Sequence, residues 1–126
     1  MVDRWKQAGK QVVLTAGRFD TLDEIQTELL RRARALGDAL IVALYGEPSE
    51  PSDWQARADR LAALESVDSL TVLPEDAPVS LLQRLQPPYY VLLGEYGERD
   101  LPIVETVIAY GGFAVVLPRV SGESQG

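Results

Sequence analysis

This chain contains neither histidine nor cysteine in its 126 residues. Without cysteine it has no disulfide framework and no thiolate nucleophile. Without histidine it lacks the side chain that most often moves protons near neutral pH, and also the commonest metal ligand. Basic residues are scarce as well, with 12 Lys and Arg against 19 Asp and Glu, a net charge of −7. That balance lacks the basic footprint a nucleic-acid partner requires and is repelled by anionic membrane surfaces. The longest apolar run, Ala39 to Tyr45, falls far short of the ~18 residues of a membrane span. No basic segment followed by an apolar one opens the chain, so a cytoplasmic location is expected rather than export. Ser/His/Asp sets, Cys/His metal spacings and a phosphate-loop lysine motif are all missing. No catalytic residue and no metal ligand is assigned.

What is present has the balance of a globular domain, 46% hydrophobic and 25% charged, with a length that suits one domain rather than two. Strand and helix patterns alternate along it. Val12 to Thr15 is a short apolar run that ends in a turn at Gly17, as a strand buried on both faces should. Leu22, Ile25, Leu29, Ala33 and Leu36 then recur at helical spacing, with Thr21 and Glu24 as a capping-box pattern and Gly37 as a stop. Ala39 to Tyr45 is a second strand, and Gly46 to Ser52 a loop by composition. A helix from Trp54 to Leu64 follows, capped by Ser52 or Asp53 and with Trp54, Ala58, Leu61 and Leu64 on one face. Ser69 to Leu73 is the third strand, Val79 to Leu85 a short helix, Tyr89 to Leu93 the fourth strand. A last helix spans about Pro102 to Tyr110, and Phe113 to Leu117 is the fifth strand. Alternation places Tyr89 and Tyr90 on opposite faces of their strand, which sends at least one into the core.

Helical connections between successive strands imply an α/β fold, a Rossmann-like three-layer sandwich with a five-stranded, mostly parallel sheet. Ligands of such sheets bind beyond the carboxyl ends of the strands, where the strand order reverses. The turns at Gly17 and Gly94 both lie at strand carboxyl ends and are expected to face one crevice. A strand, a glycine turn and a helix N-terminus form a ready anion site, because unpaired N–H groups and the helix dipole both favour negative charge. Here that helix start carries Asp20, Asp23, Glu24 and Glu28. Capping is the simpler role for these acids, and holding a divalent cation the alternative.

The stretch Val13-Leu14-Thr15-Ala16-Gly17-Arg18-Phe19-Asp20-Thr21-Leu22 resembles the first motif of the cytidylyltransferase-like nucleotidyltransferases. The similarity is greatest to the adenylyltransferase domain of ADP-heptose synthases and to glycerol-3-phosphate cytidylyltransferases. It extends through Arg31 to Val42, Arg60 to Asp68, Pro74 to Pro78 and Gly94-Glu95-Tyr96 to Gly111-Gly112 and Val115 to Pro118. The resemblance implies a nucleotidyltransferase-like domain over residues 1–120, with 121–126 a flexible tail. It also implies a crevice lined by Ala16, Gly17, Arg18, Phe19, Asp23, Gln26, Gly94, Tyr96 and Ser124.

The departures fall on the chemistry. The family carries His-x-Gly-His after Phe-Asp, and the imidazoles hold the nucleotide phosphates. Those four positions here are Asp23, Glu24, Ile25 and Gln26, and of the Ser/Thr-rich second signature only Ser124 remains, within Gly122 to Gln125. The expected function is therefore a nucleotidyltransferase-like domain that has lost catalysis and serves as a binding or assembly module. The alternative is an active adenylyl- or cytidylyltransferase acting on a sugar or alcohol phosphate, in which case Mg with a nucleoside triphosphate would be the cofactor. A homodimer is expected from the resemblance, with an apolar patch at Pro48 to Trp54 or Pro87 to Tyr90, and a nucleotide or small molecule is the possible ligand.

Overall fold

The computed structural model of the protein describes residues 9–20, 22–74, 78–94 and 97–118. Among them five strands alternate with four helices: β1 (Val12–Gly17), α1 (Glu24–Arg34), β2 (Ala39–Tyr45), α2 (Pro51–Ala62), β3 (Ser69–Leu73), α3 (Pro78–Leu85), β4 (Tyr89–Gly94), α4 (Leu101–Ala109) and β5 (Phe113–Pro118). A 3-10 turn at Glu98–Asp100 leads into α4. Every strand pair is parallel, in the order β3-β2-β1-β4-β5. The expected three-layer α/β sandwich is the fold that forms, and its sheet is wholly parallel. Residues 119–126, including the expected tail, lie outside the described residues.

Alternation along the strands builds two cores. Val12, Leu14, Ile41 and Tyr90 pack against Leu82 of α3 and Val107 of α4. Val13, Leu40, Val42 and Leu44 pack on the other face against Leu30 of α1 and Leu61 of α2. Burying each such Leu or Val side chain contributes about 1.5–3 kcal/mol, which is why the central strands are apolar on both faces.

Helix boundaries differ from the sequence expectation in instructive ways. The cap of α1 is Asp23, whose Oδ1 accepts the Gln26 N–H at 2.8 Å; Thr21, expected there, lies outside the described residues. α1 also stops at Arg34, leaving Leu36 exposed. The chain must turn early because Gly37 abuts the start of β1, where a Cβ would lie 2.4 Å from the Gln11 carbonyl oxygen. Asp38 completes the clamp, donating its N–H to that same oxygen at 2.7 Å and accepting the Gln11 N–H on Oδ2 at 2.8 Å. α2 begins at Pro51 rather than Trp54, since proline suits a first helical position, and Glu50 precedes it without a side-chain cap.

The expected apolar patches are not where the exposed hydrophobes lie. Pro87 and Tyr90 are buried, and Trp54 is half-buried with its indole N–H donated to the Glu47 carbonyl at 2.9 Å. Tyr89 stacks on Phe113 with ring centroids 5.8 Å apart. The large exposed apolar side chains are instead Leu36, Leu101, Ile108, Phe113 and Val116. Among the described residues, no helix is long and apolar enough to cross a membrane.

Two outcomes follow from this packing. Gly37→Ala forces a methyl group onto a backbone oxygen that cannot rotate away, so urea unfolding is expected to show a loss of about 2 kcal/mol. Tyr110 donates its hydroxyl to the Pro87 carbonyl at 2.5 Å, and burial pushes its phenol up to about 12. The folded state therefore holds that proton more tightly than the unfolded chain. Its contribution is whole below pH ~10 and is lost as pH climbs through about 12. Buried Tyr90, raised by desolvation above all, acts in the same direction. Unfolding free energies measured across that window should fall with pH, less steeply in Tyr110→Phe.

Candidate functional site

β1 and β4 pair at Val13–Tyr89, Leu14–Tyr90 and Thr15–Val91 only. Beyond that point Ala16 and Gly17 stay with Ala43 and Leu44 of β2, while Leu92, Leu93 and Gly94 stay with Val116, Leu117 and Pro118 of β5. The sheet therefore forks at its carboxyl end, between the two strands where the order reverses, the place at which open parallel sheets take ligands. Thr15, fully buried, sits at the crotch of the fork and donates its hydroxyl to the Val91 carbonyl at 2.7 Å. Ala16 and Gly17 flank one side and Gly94, with φ at +97°, turns the chain away on the other.

The loop leaving β1 is held in an unusual shape. Phe19 has φ of +52°, a left-handed conformation that costs a bulky residue about 1–3 kcal/mol. Its side chain is buried in the core of the α1 and α2 face. The ring lies over Gly17, where an added Cβ would come within 3.2 Å of Phe19 Cε2. Gly17 is thus required by the ring that covers it. Arg18 points outward and meets Asp20 at 3.2 Å, both more than half exposed.

Sequence reading missed Arg57, which organises this region from α2. It is only 9% exposed. Nη1 donates to the Arg18 carbonyl at 2.5 Å and the Tyr45 carbonyl at 3.4 Å, and Nη2 to the Asp53 carbonyl at 2.7 Å. The Asp20 and Asp53 carboxylates lie 3.9 Å from it. One guanidinium therefore ties the exits of β1 and β2 to α2. A signal was present: Arg57 falls on the same helical face as Trp54, Ala58 and Leu61, where a charge is out of place unless it has partners.

At the start of α1, Asp23 turns its carboxylate back onto the Gln26 N–H, and its carbonyl accepts both the N–H and the hydroxyl of Thr27 at 2.9 Å. Asp23 and Gln26 are thus joined to each other, with the half-buried Ile25 between them. The Glu28 carboxylate is engaged one turn on by Arg31 and Arg32, and its hydrogen bond to Arg31 holds it below the usual carboxylate range. Among the described residues, no group of three carboxylates is placed to hold a metal ion, so the acids at this helix start do not assemble into the alternative cation site. Tyr96 and Ser124 lie outside the described residues. A separate open cleft of about 440 Å³ runs between α3 and α4, lined by Val79, Gln83, Pro102, Glu105 and Tyr110 among others, and includes no expected site residue.

No family profile matches the chain. It is 34% identical over 132 residues to the bifunctional protein HldE of Hyphomonas neptunium, covering 98% of this chain and 27% of that protein. To the bifunctional protein HldE of Nitrobacter hamburgensis it is 36% identical over 129 residues, covering 95% and 26%. The chain thus spans about a quarter of the length of these relatives. Among solved structures, the lipopolysaccharide core biosynthesis protein of Thermoplasma volcanium superposes with a TM-score of 0.74 at 18% identity, over 90% of this chain and all of that one. Pantoate-beta-alanine ligase of Francisella tularensis, solved with a β,γ-ATP ligand and β-alanine, gives a TM-score of 0.61 at 15% identity, over 98% of this chain and 67% of that one. At these identities the likeness is one of fold.

Arg57 is the residue whose removal should be felt most. Arg57→Met leaves partly buried carbonyls without a donor and should cost roughly 2–4 kcal/mol in urea unfolding. Hydrogen exchange in the Arg18 to Asp20 loop should rise with it. Arg57→Lys should recover less than half of the loss, because an ammonium cannot fork to carbonyls in three directions.

Proposed function

We propose that this chain, a member of the cytidylyltransferase-like nucleotidyltransferases and a homologue of part of HldE, keeps the fold of that family without its phosphate chemistry and serves as a binding or assembly module. The observation that carries this reading is the bond from Asp23 Oδ1 to the Gln26 N–H at 2.8 Å. Where the family pattern has a histidine, this chain has a carboxylate, and that carboxylate occupies a helix-start amide that a phosphate oxygen would need.

Three effects act together. Neither Asp23 nor Gln26 can supply the cationic donor of an imidazole, and losing one such donor at a developing phosphate charge costs about 3–4 kcal/mol. A carboxylate in the same place repels the phosphate as well, strongly where solvent is sparse. Ile25 then adds a branched side chain where the family pattern has glycine, filling space a phosphate would occupy. Arg57, the buried cation of this end of the sheet, is engaged by backbone carbonyls and flanked by carboxylates. A crevice built this way suits a small neutral or cationic ligand better than a triphosphate.

The expected result is no pyrophosphate release from ATP or CTP with magnesium and sugar or glycerol phosphates, and no micromolar triphosphate binding by calorimetry. Micromolar binding together with pyrophosphate release on adding an acceptor would overturn the reading. The cause is tested separately by the combined change Asp23→His, Ile25→Gly and Gln26→His, with folding checked by circular dichroism. Triphosphate affinity should rise about tenfold or more, equivalent to ~1.4 kcal/mol. An unchanged affinity in a folded variant would mean that the helix-start carboxylate is not what excludes the phosphate.

A further inference from the structure

β5 forms one edge of the sheet and, among the described residues, pairs only with β4. Its outer row of N–H and C=O groups is in position to pair another extended strand. Protein edges of this kind are ordinarily blunted by lysine, an internal proline or a bulge. β5 reads Phe-Ala-Val-Val-Leu-Pro, without an ionisable side chain and with its proline at the far end. Phe113 is 63% and Val116 42% exposed.

The helix beside it continues the surface. α4 turns Ile103 and Val107 into the core and Pro102, Glu105 and Thr106 toward α3. The remaining flank carries Leu101 and Ile108, 42% and 63% exposed. Because β5 is the outermost strand, the side of α4 away from α3 is the side of the open edge. Four of the five large exposed hydrophobes among the described residues therefore gather at this edge, with Leu36 the exception.

We propose that this edge is a self-association surface, on which two copies join β5 to β5, antiparallel about a two-fold axis, into one continuous sheet. Two features single out a second copy. The first is register. A two-fold axis perpendicular to the sheet keeps each face on its own side, so residues that meet must share a face. Phe113 stacks on Tyr89 of the α1 and α2 face, where Val115 and Leu117 also pack, while Ala114 packs on the other. An axis through Val115 sets it opposite Val115 of the second copy, Phe113 opposite Leu117, and Ala114 opposite Val116. Every pair is apolar, and Pro118, which has no N–H, ends the ladder. The second feature is charge. Copies carrying −7 each repel over most of their surfaces, and least along an edge that bears no carboxylate. Glu105 faces α3, away from it.

This arrangement holds whether or not the fork binds nucleotide. Sedimentation equilibrium of the full chain at micromolar concentration should give twice the 13.8 kDa chain mass. Phe113→Lys and Val116→Lys alter exposed positions, so they should fold and yet raise the dimer dissociation constant about tenfold or more. The lack of cysteine makes the register directly testable. Val115→Cys should oxidise readily to a covalent dimer, since directly opposed residues lie ~4.5–5.5 Å apart at Cα. Val116→Cys, whose counterpart is on the diagonal at ~7–8 Å or more, should not. A monomeric mass at every concentration would overturn the proposal, as would a dimer indifferent to both lysine variants. Equal cross-linking at 115 and 116 would overturn the register. A monomer whose β5 amides are protected from exchange would show that the chain covers this edge with its own segment, and would overturn it too.

Discussion

The constraint on which this structure depends is the parting of β1 and β4. In a parallel sheet every strand must hand its chain to a crossover on one face, and β1 delivers to α1 on one side while β4 leads toward α4 on the other. Two strands whose continuations leave on opposite faces cannot stay paired to their ends. They separate past Thr15 and Val91, each remaining with its outer neighbour. The two cores, one under each helix pair, and the fork between them are consequences of the same strand order.

What fills the fork's rim is decided by magnitudes. Holding Phe19 at a positive φ costs about 1–3 kcal/mol. A hydrogen bond from a charged donor contributes about 1.5–3 kcal/mol, and Arg57 makes close ones to the carbonyls of Arg18 and Asp53. One side chain is therefore enough to offset the strained turn beside it, with burial of the Phe19 ring as a further gain. The same guanidinium is then held between backbone carbonyls with carboxylates close by, which fixes its orientation toward the protein.

Much of the fold was legible because its signals are local and redundant. β2 and β3 have the bounds their apolar runs suggest, and the helices follow from spacing and turn residues. Register and strand order are different in kind, because nothing in a run such as Ala39 to Tyr45 says which neighbour it meets. The ends of helices were read less well. α1 stops where Gly37 must fit against Gln11, a contact between residues 26 positions apart that no local pattern encodes. Part of the site was equally visible, since Gly17 and Gly94 do flank the fork. The cap at Asp23 rather than Thr21, and above all Arg57, depend on carbonyl oxygens of other elements. A backbone acceptor leaves no trace in residue identity, so a buried arginine that serves three of them looks, in sequence, like any helical arginine.

The two ends of this reading meet in the distribution of charge. Phosphate chemistry needs donors left unsatisfied until the ligand arrives, because preorganised groups that already have partners must first be released. Around the fork the amide of Gln26 and the guanidinium of Arg57 already have theirs. At the β5 edge the opposite holds, with hydrogen-bonding groups and apolar side chains turned outward and no ionisable side chain on the strand. Ligand capture draws on what a fold leaves unpaired. In this chain those unpaired groups lie along β5 rather than at the helix start, which is why the fold of a nucleotidyltransferase and the surface of an assembly module can reside in one sheet.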